Sequence, residues 1–318
     1  MNSADRLIER IIKTANPSVI GLDPVITEIP DCYKLGREAK DDFVAEAELI
    51  FEFNRDIIET VYKYVPAVKP QSAFYEKYGS AGIKALEKTA AYAKSKNLIV
   101  IEDAKRNDIG NTANAYAEAH LGKVCLINGE TVPSIQSDFL TVTPFLGSDG
   151  VEPFIKACEL HKKGVFVLVR TSNKSAFEIQ DALTDKGITV SEALAEYVSA
   201  VSERCVGKSG YSSVGAVVGA TYPEQARALR KIMPKSIFLV PGYGAQGGSA
   251  KDVLPCFNED GLGAIVNSSR GILYSHTSVN ERKTVTKEEY LKKVKNAVLT
   301  MKGEIYGALK SEYPNIIY

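Results

Sequence analysis

The sequence predicts a closed (β/α)8 barrel of the TIM-barrel class, one domain over residues 1–318 with an N-terminal and a C-terminal helix. Three observations point there. Eight short β-branched runs alternate with longer segments of helical period from end to end. Several of those runs, such as LIVIEDAK, GVFVLVRTS and VGAVVGAT, are nearly continuous in apolar residues, as a parallel strand covered on both faces requires. No low-complexity linker divides the chain. An open doubly wound sheet is the competing topology, and eight units in succession favour closure. Apolar residues at 45% and charged residues at 25% allow a sizeable core.

The elements follow in order. MNSADRLIERIIKTAN has an amphipathic period and acidic residues, unlike a signal peptide; it reads as a helix capped near Ser3 that buries Leu7, Ile8, Ile11 and Ile12. The expected strands are Ser18–Asp23, Ala67–Gln71, Leu98–Lys105, Phe139–Pro144, Gly164–Ser172, Val214–Thr221, Ile237–Gly242 and Ala264–Arg270. Between them, Ile50, Phe53, Ile57, Ile58 and Val61 recur at helical spacing, as do Leu194, Val198, Val201 and Cys205. Asp149 in VTPFLGSDG reads as a helix cap. Asn173–Ile188 is the longest candidate insertion, expected at the surface and mobile. The last helix starts at Thr286, where Glu289 completes a capping box, and its core face is Tyr290, Val294, Val298, Met301 and Ile305.

Composition narrows the function. Thirty-nine basic residues balance thirty-nine acidic ones, so no basic field attracts nucleic acid. No apolar run approaches the ~18 residues of a membrane span. Five scattered cysteines (32, 125, 158, 205 and 256) without a CxxC argue against a disulfide framework or thiolate zinc site and for a reducing cytoplasm. The three histidines show no metal-ligand spacing, and no metal site is expected. His161, in CELHKKG, reads as a cation at a helix end. Proton chemistry then falls to carboxylates and lysines.

Barrel active sites form at the C-terminal ends of the strands. Polar residues cluster there: Asp23 at the end of the first strand, Lys69 and Gln71 at the end of the second, Asp103 and Lys105 at the end of the third with Asp108 following, Thr171, Ser172 and Asn173 at the end of the fifth, Arg270 at the end of the eighth. Residues two apart on a strand share a face, so Asp103 and Lys105 both point into the barrel mouth, with Lys69 facing the same space. Asp108 lies beyond the strand, free to turn back. Such a row of charges is costly unless paired, and an ion-pair plug is the bland alternative to a site. Residues 242–247 spell GxGxxG, but after the seventh strand, with Asn267 and Arg270 where a dinucleotide site needs an acid. Loops seven and eight of barrels often bind phosphate; glycines let backbone N–H groups approach the anion and Arg270 supplies a charged fork. Turn chemistry for the glycines and a surface ion pair for Arg270 are the plain readings. Asp23 before Pro24 is equally readable as a turn residue, and Ser172 and Asn173 as caps.

Together, DAKRNDIGNTANAYA, VKPQSAFYE, RTSN, PGYGAQGG and NSSRG resemble the orotidine 5′-phosphate decarboxylase family, in its longer bacterial branch, in order from about Val19 to Ile272. The chain departs from the shorter branch at Arg106, Asn107 and Ile109-Gly110. The resemblance implies a cofactor-independent decarboxylase of de novo pyrimidine biosynthesis, built as a homodimer with shared sites. It implies Lys105 as proton donor, with Asp103, Lys69 and the partner's Asp108 as charged neighbours. Ile109 and Thr112 would also reach the partner's site. Asp23 would hold ribose hydroxyls, Ser172 the pyrimidine edge, Pro241 the ring, Gln246 a bridge toward phosphate, and Arg270 with the Gly271 backbone the phosphate. The Gly244–Ser249 loop is the lid candidate.

The charges suit that chemistry. A carbanion at C6 of orotidylate has no adjacent carbonyl to delocalise it, so the site must stabilise localised charge. An ammonium at C6 does this and delivers the proton. A Schiff-base aldolase would need a neutral amine, whereas carboxylates flank Lys105 at two residues before and three after. A metal-assisted decarboxylase and a phosphoribosyl-ligand sensor are the other readings; a sensor has no need of the Asp103/Lys105/Asp108 set.

Overall fold

The computed structural model describes residues 1–37, 43–244, 247–276, 279–314 and 316–318. Its centre is a closed barrel of eight parallel strands: β1 (Ser18–Leu22), β2 (Ala67–Pro70), β3 (Ile99–Arg106), β4 (Phe139–Val142), β5 (Gly164–Arg170), β6 (Ser212–Val218), β7 (Ser236–Val240) and β8 (Ala264–Ser268). Each pairs with its sequence neighbour, and β8 closes on β1 with Ser18 opposite Val266. All eight strands lie where the sequence predicts them. Most end about two residues early, so Asp23, Ser172 and Arg270 stand in the loops just past the strands. A loop there can aim a side chain that ladder pairing would fix to one face.

The longer helices are α1 (Ser3–Thr14), α2 (Val44–Val61), α3 (Gly79–Ser95), α4 (Gly110–His120), α5 (Ser148–His161), α6 (Val190–Ser202), α7 (Pro223–Ile232) and α8 (Lys287–Glu312). After β7 the crossover is one short helix, Ala250–Val253, with a 3-10 turn. The outward strand residues, such as Val68, Val100, Val167 and Phe238, pack with helix residues such as Phe53, Phe154 and Val294. The inward ones form a second core with α1: Val19, Ala67, Ile101, Phe139, Phe166 and Ile265 meet Leu7, Ile8 and Ile11. Helix α1 thus seals the N-terminal mouth. Along the same inward faces the sequence turns polar toward the other mouth, at Lys69, Asp103, Thr141 and Asn267.

Several details depart from expectation. Ile12 is 40% exposed, because its position on α1 faces away from the barrel, and Thr14 closes the buried stripe instead. The cap of α1 is Asn2, which accepts from the Asp5 N–H; Ser3 donates to the Lys162 carbonyl. Asp149 lies inside the first turn of α5, which starts after Gly147 at φ 85° without a side-chain cap. The buried face of α6 runs through Ala195, Val198 and Ser202, leaving Leu194 and Val201 partly covered. His161 does end α5, but burial and then Lys123 and Lys163 lower its pKa, which weakens the reading of it as a cation there. The capping box at Thr286 and Glu289 and all five core residues of α8 are as predicted.

The insertions also differ. Residues 173–188 lie at the surface as expected, with Phe177, Ile179 and Leu183 exposed, but they are tied down: Arg170, 1% exposed, donates to Gln180 and pairs with Asp181 at 3.3 Å. The sequence reading overlooked a hairpin, Val124–Cys125 with Thr131–Val132, which turns at Asn128-Gly129. Asn-Gly between apolar residues is its signal, hidden because the paired segments are two residues each.

Candidate active site

The charged centre is built on β2, β3 and β4. Val68 and Pro70 point out to the helices while Lys69 points in, and the alternation on β3 turns Asp103 to the same space. Asp103 Oδ2 accepts from Lys69 Nζ at 2.8 Å, and Oδ1 from Lys105 Nζ at 2.6 Å. Gln71 Nε2 donates to Oδ2 at 3.2 Å and Thr141 Oγ1 to Oδ1 at 3.0 Å. Burial alone would push this carboxyl's pKa up. The two ammoniums outweigh it and hold Asp103 well below the ordinary carboxylate range, as a fixed anion. Lys69 is 4% exposed; burial pulls its pKa down, and Asp103 with Asp23 more than restores it, so it stays protonated. The Lys105 side chain is 45% exposed, its ammonium held from one side only.

Lys105 has φ +49°, in the left-handed region that residues with a Cβ seldom adopt. The β3–β4 register shifts there, between Glu102 and Arg106. Thr141 is part of the cause: its Oγ1 accepts the Lys105 N–H at 2.9 Å while donating to Asp103. Sequence reasoning assigned Thr141 no role. The signal was present, since Thr141 shares the inward face of β4 with Phe139.

The cavity in this mouth has a volume of about 1060 Å³, ample for a nucleotide. Of the predicted residues, Lys105, Asp103, Lys69, Asp23, Ser172, Pro241, Arg270 and Gly271 all line it. Asp108, Ile109 and Thr112 do not. Asp108 accepts from the Ile109 N–H at 2.8 Å, and Ile109 and Thr112 are exposed at the start of α4. Gln246 lies outside the described residues, as does part of the lid candidate Gly244–Ser249. The base of that loop is fastened by the Gly248 N–H to the Gly242 carbonyl at 3.0 Å and by Tyr243 Oη donating to Glu304 of α8.

Asp23 Oδ1 and Asn267 Oδ1 are buried in the cavity wall without a hydrogen-bond partner among the described residues. Buried acceptors of this kind are costly unless something donates to them. Tyr274 holds the Asp23 loop in place, accepting from the Val25 N–H at 2.7 Å and donating to the Asp23 carbonyl at 3.0 Å. Gly21 lets β1 approach the eighth loop: a Cβ there would meet Ser269 Oγ at 1.8 Å. Arg270 opens a short helix, Arg270–Leu273, and makes no ion pair among the described residues. On the opposite wall Gln180 accepts from the Thr171 N–H at 2.9 Å and donates to its hydroxyl at 2.8 Å, setting the segment that carries Ser172. Tyr274 and Gln180 carry no local sequence signal; tertiary packing alone brings them here.

An ammonium beside a fixed carboxylate, an unpaired arginine across the cavity and unmet acceptors between them suit an anionic, hydroxyl-bearing ligand acted on by a proton donor. Comparisons with known proteins agree. The family model described as orotidine 5′-phosphate decarboxylase / HUMPS family matches residues 36–285. The orotidine 5′-phosphate decarboxylase of Rhodopirellula baltica is 42% identical over 96% of this chain and 100% of its own length. That of Caldicellulosiruptor saccharolyticus is 43% identical over 87% of this chain and 90% of its own. The structure of Leishmania donovani OMP decarboxylase superposes with a TM-score of 0.68 at 28% identity, covering 95% of this chain and 99% of that one. With fold, motif order and family model coinciding over most of its length, the chain belongs to the orotidine 5′-phosphate decarboxylase / HUMPS family.

Proposed function

We propose that the protein decarboxylates orotidine 5′-phosphate to uridine 5′-phosphate in de novo pyrimidine biosynthesis, with its own charges doing the chemistry. The observation that carries this is Asp103, held anionic between Lys69 and Lys105 with the Lys105 ammonium open to the cavity. The bond from C6 to the carboxylate breaks, its electron pair stays on C6, and carbon dioxide leaves. Lys105 Nζ stabilises that pair and gives its proton to C6; water then reprotonates the amine. Asp103 beside the substrate carboxylate adds like-charge stress, on the order of 4 kcal/mol at ~4 Å and an effective dielectric of about 20. Stabilisation of the carbanion is the larger effect in this reading.

Arg270 and the Gly271 backbone hold the phosphate. Gln246 bridges toward it, Pro241 flanks the ring and Ser172 meets the pyrimidine edge. Asp23 takes ribose hydroxyls, which would satisfy its unpartnered oxygen. Phosphate binding far from C6 supplies energy for closing the Gly244–Ser249 loop and orienting the base.

The working unit in this reading is a homodimer in which Asp108, Ile109 and Thr112 reach the partner's site. Support comes from exposed apolar side chains: Ile109 at 51% at the start of α4, and Phe145 at 78% with Leu146 in the loop before α5, where Leu146 and the Asp108 carbonyl both border Gly150. A cytoplasmic setting fits the five cysteines, all free thiols. Among the described residues no helix is long and apolar enough to cross a membrane.

The test is conversion of orotidylate to uridylate by purified protein, followed by ultraviolet absorbance without added cofactor and in EDTA. Turnover is expected. Failure to turn over, or borohydride trapping of a substrate adduct on Lys105, would overturn the reading.

A further inference from the structure

Glu102 is next to Asp103 on β3, and its side chain faces the opposite way, into the layer between strands and helices. It is fully buried. Ser72 Oγ donates to Oε1 at 3.1 Å, Ser137 Oγ to Oε2 at 2.7 Å, and the His120 Nδ1 lies 2.9 Å from Oε2. Arg106 Nε donates to His120 Nε2 at 3.3 Å. A guanidinium cannot accept, so Nε2 is the acceptor and Nδ1 carries the hydrogen given to Glu102. The same arginine donates to the Ala104 carbonyl at 3.1 Å, pairs with Glu76 and lies over the Tyr116 ring. The chain of contacts therefore runs Glu76, Arg106, His120, Glu102, then Ser72 and Ser137, with every member satisfied.

Its position is what gives it meaning. Ser72 and Glu76 follow β2, which carries Lys69. Glu102, Ala104 and Arg106 bracket Asp103 and Lys105. Tyr116 and His120 are on α4, whose start carries Ile109 and Thr112. Ser137 precedes β4, which carries Thr141. Ser72 also donates its N–H to the Asp103 carbonyl at 3.3 Å. Each element that supplies a member of the charged array is bonded into one buried hub behind it. In the middle sits the left-handed kink at Lys105, a conformation that persists where its surroundings over-determine it. Arg106 is the residue after that kink and holds it from outside, while Thr141 holds it from inside.

We propose that Glu102, His120 and Arg106 are positioning residues that lock the kink at Lys105 and so fix where its ammonium stands. None of them lines the cavity. The proposal rests on Lys105 as proton donor, so both are tested together.

His120→Leu removes both contacts at similar volume, and His120→Gln restores one donor and one acceptor. Arg106→Met removes the outer link at a partly exposed position and spares the core. Steady-state kcat and KM for orotidylate and Tm are measured for each, beside wild type and Lys105→Ala. His120→Leu and Arg106→Met should each lower kcat about ten- to a hundredfold, the scale of an ångström misplacement, with KM within about twofold. His120→Gln should recover most of the loss. Wild-type kcat in Arg106→Met, or a lowered Tm with unchanged kcat in His120→Leu, would overturn the proposal, as would His120→Gln no better than His120→Leu. If His120→Leu does not fold, Arg106→Met decides alone. Full activity in Lys105→Ala would instead remove the donor assignment, and an inactive wild type the proposed function, so the three failures are distinguishable.

Discussion

The two mouths of the barrel are made from the same eight strands and do opposite things. At the N-terminal mouth the inward side chains are Val19, Ala67, Ile101 and Phe139, capped by Leu7, Ile8 and Ile11 of α1. At the C-terminal mouth, one pleat on, the same faces carry Lys69, Asp103, Thr141 and Asn267 around an open cavity. The first end buries apolar area and stabilises the chain. The second concentrates charge that must be paired to be tolerated and leaves acceptors unmet, which stabilises nothing until a ligand arrives. Stability and chemistry are thus separated along the barrel axis.

That separation can be broken by experiment. The largest effect expected is Lys105→Ala, which should abolish turnover, a loss of at least ~10³-fold, with Tm within a few degrees; circular dichroism melting and the absorbance assay check both. Mixing Lys105→Ala with Asp108→Ala should restore about one quarter of the wild-type rate. Half the dimers are then mixed, and each mixed dimer has one intact site if sites are shared across a two-fold axis. No rescue despite subunit exchange would refute sharing. Arg270→Ala should raise KM about ten- to a hundredfold, the worth of charge-assisted bonds to phosphate. An unchanged KM would mean the phosphate lies elsewhere. At the other mouth, Ile11→Ala should cost about 2–5 kcal/mol by denaturant melts and leave kcat as it was.

The smallest effect sharpens the comparison through pH. Asp103's folded pKa lies below its unfolded ~3.9, so its contribution to stability is complete above about pH 4 and is lost as pH falls through the folded value. Lys69's folded pKa lies above its unfolded ~10.4, so its share persists until pH rises through the folded value. Below about pH 5, where Asp103 is the group that titrates, the Tm of wild type minus that of Asp103→Asn should therefore decline as the pH falls. A difference that grows in acid would contradict the pairing.

How much of this was legible in the residues divides along the same line. Strand positions and the inward set of Lys69, Asp103 and Lys105 follow from period-two alternation, a local property. The α8 capping box is equally local. Gln180 and Tyr274 reach the site across distant sequence, one from the insertion at 173–188 and one from the end of the short helix Arg270–Leu273; nothing near them announces it. Asp149 failed as a cap because Gly147, with its positive φ, already turns the chain into α5. The hairpin at residues 124–132 escapes notice because two-residue strands offer no period to read.

The left-handed backbone at Lys105 has one more consequence. Glycine enters that conformation freely, whereas alanine there keeps a Cβ that opposes it. Lys105→Gly is therefore the gentler way to take the ammonium away, leaving the chain relaxed and a slot open to the cavity. Small soluble alkylamines could occupy that slot, and a rate that climbs with their concentration and basicity would report, from outside the protein, what the lysine supplies from within.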